Sequence, residues 1–331
     1  MISQNVFDVI KTRDARIENL TVYVQEKPVG LLVPSTLVSV STRDDSYFYG
    51  PRGIGTFRLV ETDSAWAALI AVGAVLFGSV DEVQRLQQAL QNDRTSRTTA
   101  YLCAVCPNCT ETLRALDRIR ASAVAVIGAG GIGSLTAMSL AGAGVASLRL
   151  IDQDVVEASN FNRQFFYQRK HIGKRKVDAL AEAIQERFSA VDVSCFDQSA
   201  SMESAEWMLD GVDAVVISAD DPLGLASTIS RIARTRGIHA ISCGYVLGDA
   251  GVQFFSAGNA PSELSTPDDV PRLWSRVPHS VMPSFGPTNI ELAGIASSLT
   301  LLSLAGCHAV SNKHLEARWD TTKFPREWKE E

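Results

Sequence analysis

The chain has 331 residues, of which 46% are hydrophobic and 21% charged, and a net charge of −6. That length suggests two domains, or one large domain with an appendage, and the composition can fill a core. Residues 1–120 carry 13 basic and 13 acidic side chains and the rest carry 18 and 24, which argues against an extended basic face and a nucleic-acid partner.

Residues 1–15 lack a basic region followed by an apolar one, so no signal peptide is expected. The longest apolar run, 65–80, is shorter than a membrane span and is interrupted by Gly73 and Gly78, so no membrane partner is expected. Apolar and polar positions alternate in Thr21-Val22-Tyr23-Val24, in Leu37-Val38-Ser39-Val40 and in 56–60. Breakers at Asp44-Asp45 and Gly50-Pro51 separate them, which predicts a small antiparallel sheet. Asp63 or Ser64 can cap a helix running to about Phe77, with Gly78 as its stop. Ser79-Val80-Asp81-Glu82 is a capping-box pattern, and Val83, Leu86 and Leu90 then share one helical face. Strands followed by two short helices predict a winged-helix-like α+β domain over 1–92. Residues 93–122 read as a polar linker, a cysteine cluster and a leading helix from about 110 to 119.

From 123 onward the chain alternates strand and helix. Strands are expected at 123–127, 147–151, 191–196, 213–218 and 238–242, and helices near 133–143, 174–188, 202–209 and 223–236. Gly144 and Gly237 stand where helix C-caps belong. This pattern predicts an α/β, doubly wound, mostly parallel Rossmann-like sheet, with ligand at the carboxyl ends of its strands. Residues 257–288 break the rhythm with six prolines and read as a long loop, either disordered or a lid. An apolar helix over 289–305 and a strand at 315–322 complete the domain at 123–331.

The chemistry is concentrated in this second half. Gly128, Gly130, Gly131 and Gly133 follow an apolar run and open a helix, a sequence that makes a tight turn and brings backbone N–H groups up to phosphate. Alone, such a turn also fits a nicotinamide-dependent dehydrogenase. Asp152 closes the next apolar run, where an acidic side chain accepts from ribose hydroxyls. Arg163 and Lys176 add two cations suited to a triphosphate, and Asp220 follows the fourth strand, where a carboxylate can hold Mg²⁺. Dehydrogenases need neither the lysine nor a metal-binding aspartate.

The ordered blocks Gly128-x-Gly-Gly-Ile-Gly-Ser134, Leu150-Ile151-Asp152-x-Asp154-x-Val156, Ser159-Asn160-x-Asn162-Arg163-Gln164, Gly173-Lys174-x-Lys176 and Ala219-Asp220 resemble the ThiF/MoeB/ubiquitin-activating superfamily. The resemblance covers 124–256 closely and 284–306 more loosely. It implies ATP- and Mg²⁺-dependent adenylation of a C-terminal carboxylate. Asp152 would bind ribose; Asn160, Arg163 and Lys176 the phosphates, with Gln164 beside them; and Asp220 the metal. The family also delivers an arginine from the partner subunit of a dimer, and Arg94-Thr95-Ser96-Arg97 resembles that motif, which implies a homodimer using Arg97. Two departures narrow the activity. Residues 257–306 hold no cysteine, and Cys243 and Cys307 stand alone where many members carry paired zinc ligands. Cys243 reads as a packed core thiol, so thioester transfer is not expected.

Cys103-x-x-Cys106-x-x-Cys109 is a zinc pattern only if a fourth ligand, such as His308 or His314, joins it; otherwise it is a helix start that contains cysteines. The other cysteines are scattered, unlike a disulfide framework, which suits a cytoplasmic protein. A small sheet with helices before such a core resembles the peptide-clamp domains of MccB-like peptide-activating enzymes of ribosomal natural-product biosynthesis. The alternatives are a DNA reader, disfavoured because 80–90 offer only Arg85 beside Asp81 and Glu82, or a structural arm. The expected activity is therefore adenylation of a precursor peptide, with the acyl-adenylate trapped by nitrogen from the peptide or from a second nucleotide. An activator of a sulfur-carrier protein, a non-catalytic recruiting subunit and a nicotinamide oxidoreductase remain as alternatives.

Overall fold

Short alternating segments near the N-terminus form strands because each has one face to bury. In Ser46–Gly50, Ser46 and Phe48 are buried while Tyr47 and Tyr49 face out, and Phe48 stacks on Phe57 with ring centroids 4.4 Å apart. The computed structural model describes residues 15–41, 45–58, 61–201, 204–219, 224–257, 283–307 and 314–323. The chain divides into two units, Met1–Asp117 and Arg118–Glu331.

The first unit contains β1 (Ala15–Glu18), β2 (Thr21–Val24), β3 (Lys27–Leu32), β4 (Leu37–Ser39), β5 (Ser46–Gly50), β6 (Gly53–Phe57), α1 (Thr62–Ala71), β7 (Val75–Phe77), α2 (Val80–Leu90) and α3 (Ser96–Val105). Helix α4 (Cys109–Ala121) begins here and ends in the second unit. There are two antiparallel sheets, ordered β1-β2-β3-β7 and β4-β5-β6. Leu69 and Val72 of the α1 region join Phe48 and Phe57 in one core, while Leu31, Leu76, Val83 and Leu86 form another. The capping box at Ser79 is present: Ser79 N–H donates to Glu82 Oε2 at 2.8 Å, and Glu82 N–H donates to Ser79 Oγ at 3.4 Å.

Two expectations need correction. The helix that was to run to Phe77 stops at Ala71, and Val75–Phe77 pairs with β3 instead. Gly73 adopts a left-handed φ of +68°, which breaks the helix, and the sheet edge then captures the apolar residues that follow. A strand thus separates the two helices expected to form a helix-turn-helix. Residues 96–105, read as linker, form α3, because Thr99, Leu102 and Cys103 find a core to bury against.

The second unit holds β8 (Ala123–Ile127), α5 (Gly131–Ala143), β9 (Ser147–Ile151), α6 (Lys176–Arg187), β10 (Asp192–Phe196), α7 (Ala205–Met208), β11 (Ala214–Ile217), α8 (Leu225–Thr235), β12 (His239–Val246), β13 (Asp249–Phe255), α9 (Gly286–Leu304) and β14 (His314–Asp320). Its seven-stranded sheet runs β10-β9-β8-β11-β12-β13-β14, parallel through β12 and antiparallel beyond. This is the doubly wound α/β sheet expected. The antiparallel hairpin strand β13 was not foreseen. Helices α5 and α9 pack together on one face, and α7 and α8 close the core on the other. The chain leaves β8 toward β9 on one side, while β11 lies on the other. The crevice where strand order reverses therefore opens between the ends of β8 and β11. Among the described residues, no helix is long and apolar enough to cross a membrane.

The three clustered cysteines do not form a metal site among the described residues. Cys103 and Cys109 are fully buried among Leu31, Leu76, Val83, Leu86 and Leu113, and Cys109 Sγ donates to the Leu76 carbonyl at 3.2 Å. Burial pushes the Cys103 thiol up to about 12 and that of Cys109 up to about 11, so neither offers a ready thiolate. Cys106 stays partly exposed, and no group of three His, Cys, Asp or Glu side chains is placed to hold a metal. His308 lies outside the described residues, and His314 stacks on Phe255 with centroids 4.4 Å apart.

Candidate active site

The turn after β8 is built by its glycines. Gly128 has φ +95°, and a Cβ there would come within 2.9 Å of Ser218 Oγ and 3.0 Å of the Ala219 nitrogen. At Gly133 a Cβ would run into the Gly128 carbonyl, and at Gly131 into the Asn289 side chain. These three glycines let helix, turn and strand pack. Gly130 differs: it is the N-cap of α5, and the nearest atom to a Cβ there is Gln164 Nε2 at 4.0 Å. Among the described residues the space beside Gly130 is therefore open, and the first N–H groups of α5 have no intrahelical partner. Ser218, at the end of β11, donates toward the Ile127 and Gly128 carbonyls at 3.2 Å each, tying the two strand ends across the crevice.

Asp152 sits immediately beyond β9. Its Oδ2 accepts from the Ala129 N–H at 2.6 Å and its Oδ1 from the Asp154 N–H at 2.7 Å. Burial raises its pKa above the ordinary carboxylate value, against the opposing pull of Lys176 and of those two donors. Lys176 opens α6 and is 6% exposed; its Nζ donates to Asp154 Oδ2 at 2.7 Å. A buried ammonium thus stands beside the Asp152 carboxylate, held by a largely exposed partner.

The segment 157–167 forms the other wall. Asn160 is buried and its Oδ1 accepts from the Glu157 N–H at 3.0 Å, so it braces its own turn. Arg163 is partly exposed, and its guanidinium donates to the Ser159 carbonyl at 2.7 Å and to Asn162 Oδ1 at 2.9 Å. Gln164 is 3% exposed, and its buried Oε1 has no hydrogen-bond partner among the described residues. Tyr167 donates its hydroxyl to the Ala129 carbonyl at 2.6 Å.

Contacts bring Gly128, Gly130, Gly131, Gly133, Asp152, Gln164 and Lys176 together beyond the carboxyl ends of β8 and β9, while Asn160 and Arg163 lie on the adjoining segment with side chains bonded within it. Asp220 lies outside the described residues, two positions after Ser218. Arg97 belongs to the first unit, exposed in the first turn of α3. Sequence reasoning did not select Tyr167, Ser218 or Asn289 as site residues. Tyr167 reads as one more aromatic in Phe165-Phe166-Tyr167, and Asn289 is more than 150 residues from the turn it packs against. Cys243 is buried in β12, where burial pushes its thiol up to about 12.

Comparison with known proteins gives this chain relatives. Among curated proteins, the adenylyltransferase and sulfurtransferase uba4 of Aspergillus niger is 35% identical over 105 residues, covering 32% of this chain and 22% of that protein. The adenylyltransferase and sulfurtransferase MOCS3 of Culex quinquefasciatus is 34% identical over 104 residues, covering 31% and 24%. The matched part thus spans less than a quarter of these relatives. Among solved structures, E. coli MccB with ATP superposes with a TM-score of 0.68 at 15% identity, covering 91% of this chain and 96% of that one. PaaA gives 0.65 at 20% identity, covering 89% and 98%. Both share the fold. The ThiF family matches residues 109–327, a span that takes in the glycine turn, Asp152, the 157–167 segment and Lys176, and the chain belongs to that family.

Proposed function

We propose that this chain is an ATP-dependent adenylyltransferase that activates the C-terminal carboxylate of a ribosomally made peptide. What supports the proposal is the helix N-terminus at Gly130 with Asp152 and Lys176 beside it and Arg163 on the adjoining segment. Two cations and free N–H groups fit a polyphosphate. The unpartnered Gln164 Oε1 beside Gly130 leaves an acceptor for a ligand hydroxyl or amine.

In the reaction, a peptide carboxylate oxygen attacks the α-phosphorus of ATP. A carbon-bound oxygen–phosphorus bond forms, the bond between the α-phosphorus and the bridging oxygen breaks, and pyrophosphate leaves. Asp152 holds the ribose. Lys176 exchanges its Asp154 partner for phosphate oxygens, and Arg163 swings from its own loop to the charge that builds at phosphorus. Mg²⁺, held by Asp220, would neutralise phosphate charge. A nitrogen of the peptide then attacks the acyl carbon, loses a proton to water and expels AMP.

Peptide substrates are favoured by the extent of the structural likeness. MccB, named as a biosynthetic enzyme of microcin C7, has been solved with N-formylated MccA, and its likeness covers 91% of this chain, well beyond 109–327. A formylated N-terminus marks a newly initiated ribosomal product. On this basis the first unit serves as the peptide clamp and the active assembly is a homodimer. The second reading, activation of a ubiquitin-like sulfur carrier, is favoured by the uba4 and MOCS3 relatives. Raised thiols at the half-buried Cys195 and the buried Cys243, and the lack of cysteine over 257–306, weigh against a thioester or persulfide step.

Exchange of labelled pyrophosphate into ATP tests the proposal. It should require a peptide with a free C-terminal carboxylate, taken from those encoded beside the gene, and cease when that peptide is C-terminally amidated. Exchange with a sulfur-carrier protein but with no such peptide would favour the second reading.

A further inference from the structure

The glycine turn is soft by composition. Gly128-Ala129-Gly130-Gly131 has a single Cβ, and peptide planes flanked by glycine rotate at little steric cost. Two side chains hold it. Asp152 pins the peptide before Ala129 through its N–H, at 2.6 Å, and Tyr167 pins the peptide after it through its carbonyl, also at 2.6 Å. That second peptide carries the Gly130 N–H. A trans peptide is planar with its C=O and N–H opposed, so holding the carbonyl toward the buried tyrosine aims the Gly130 N–H the other way, into the open space before α5.

We infer that Tyr167 is a positioning residue for the phosphates: its hydroxyl fixes the Ala129–Gly130 peptide, so affinity for the phosphate chain, and not for the nucleoside, depends on it. Tyr167 is 5% exposed and reaches the turn from the loop that carries Asn160, Arg163 and Gln164, so that loop and the turn are set as one piece. Burial and the nearby Asp152 and Asp154 charges hold its phenol above the usual range, which keeps it a neutral donor at any working pH. This inference rests on the adenylation proposal for its ligand.

The test is Tyr167→Phe, which keeps the ring that fills the buried volume and removes only the donor. Titration calorimetry of the full chain with ATP and with adenosine reads the two halves of the ligand separately. One neutral hydrogen bond contributes a factor of roughly two to ten, so ATP should bind about two- to tenfold more weakly and adenosine as before. Amide exchange across 128–133, followed by mass spectrometry without ligand, should quicken in the variant. Unchanged ATP affinity, an equal loss for ATP and adenosine, or unchanged exchange would each overturn the inference, as would a lowered Tm with both affinities intact. If the unsubstituted chain binds no ATP, the adenylation proposal fails, and amide exchange alone still decides whether Tyr167 sets the turn.

Discussion

Gly133→Ala and Gly130→Ala separate what the turn does for the fold from what it does for the ligand. At Gly133 an added methyl lies 2.7 Å from Ser218 Oγ and 2.9 Å from the Gly128 carbonyl carbon, and collides with the carbonyl oxygen itself. Ser218 can rotate, but the Gly128 carbonyl is backbone. It cannot retreat easily, because Gly128 already stands at φ +95° and its N–H bonds the Ile151 carbonyl at 2.8 Å. Overpacking of this kind costs about 1–3 kcal/mol. In a unit of this size each kcal/mol lowers Tm by roughly 2–4 °C. At Gly130 the methyl meets nothing closer than Gln164 Nε2 at 4.0 Å, and φ is −77°. There the folding cost is only the weaker N-cap of alanine, about 1 kcal/mol or less. The methyl instead occupies the space proposed for phosphate. Differential scanning fluorimetry and ATP titration of both variants should therefore cross over: Gly133→Ala loses the more Tm, and Gly130→Ala loses the more ATP affinity relative to its change in Tm. Equal Tm values for the two variants would refute the packing argument, and intact ATP binding by Gly130→Ala would refute the placement of phosphate.

Arg163→Ala removes a cation held, among the described residues, by its own loop, so Tm should hold while pyrophosphate exchange falls by about 10²–10³; full exchange would remove Arg163 from the chemistry. Burial raises the folded-state pKa of Asp152, so the folded chain binds that proton more tightly than the unfolded chain. Stability should therefore fall as pH rises from about 3.9 through the raised folded value, and the urea midpoint of Asp152→Asn should lack that part of the slope. Iodoacetamide near neutral pH should leave Cys103 and Cys243, both pushed up to about 12, unmodified in the folded chain and modified in urea; rapid labelling of folded protein would show that those cores open.

The parallel half of the sheet was legible because two signals agree there. Strands β8 and β9 occupy the residues expected, since short apolar runs end in Gly128 and Asp152 and leave no room to slide. The first unit was harder because its signals conflict. Residues 65–80 are apolar nearly throughout, so periodicity alone cannot tell helix from strand, and the left-handed Gly73 decided the matter. Ser96, Thr98 and Thr99 are poor helix formers, yet burial of Leu102 and Cys103 holds α3 together. In the site, charged residues announce themselves by order and spacing. Tyr167 and Asn289 act by packing and by one hydrogen bond or fewer, and such roles leave no pattern in a single sequence.

Arg97 is expected to serve a site only through the family resemblance, and mixing variants tests both that role and the subunit it comes from. The chain places it in the first turn of α3, exposed, in a unit distinct from the one that holds the crevice. The family resemblance assigns such an arginine to the partner's site, and mixing variants tests that assignment without any assumption about how the units meet. Arg97→Ala and Asp220→Ala should each be inactive alone. In a symmetric dimer both sites are built the same way. If the arginine acts in trans, a mixed dimer has one site with Asp220 from one subunit and Arg97 from the other, and a second site lacking both. Random exchange makes about half of all dimers mixed, so recovery should approach roughly a quarter of normal pyrophosphate exchange. If the arginine acts in cis, every site in every mixture lacks one of the two residues, and activity stays at the background of the single variants. The ratio of the two variants sharpens the result. Recovery in trans peaks at equal amounts and falls off symmetrically on either side. An impurity or a leaky variant would instead give activity proportional to one component. Absence of recovery, with subunit exchange confirmed by native mass spectrometry of differently tagged chains, would place Arg97 outside the partner's site.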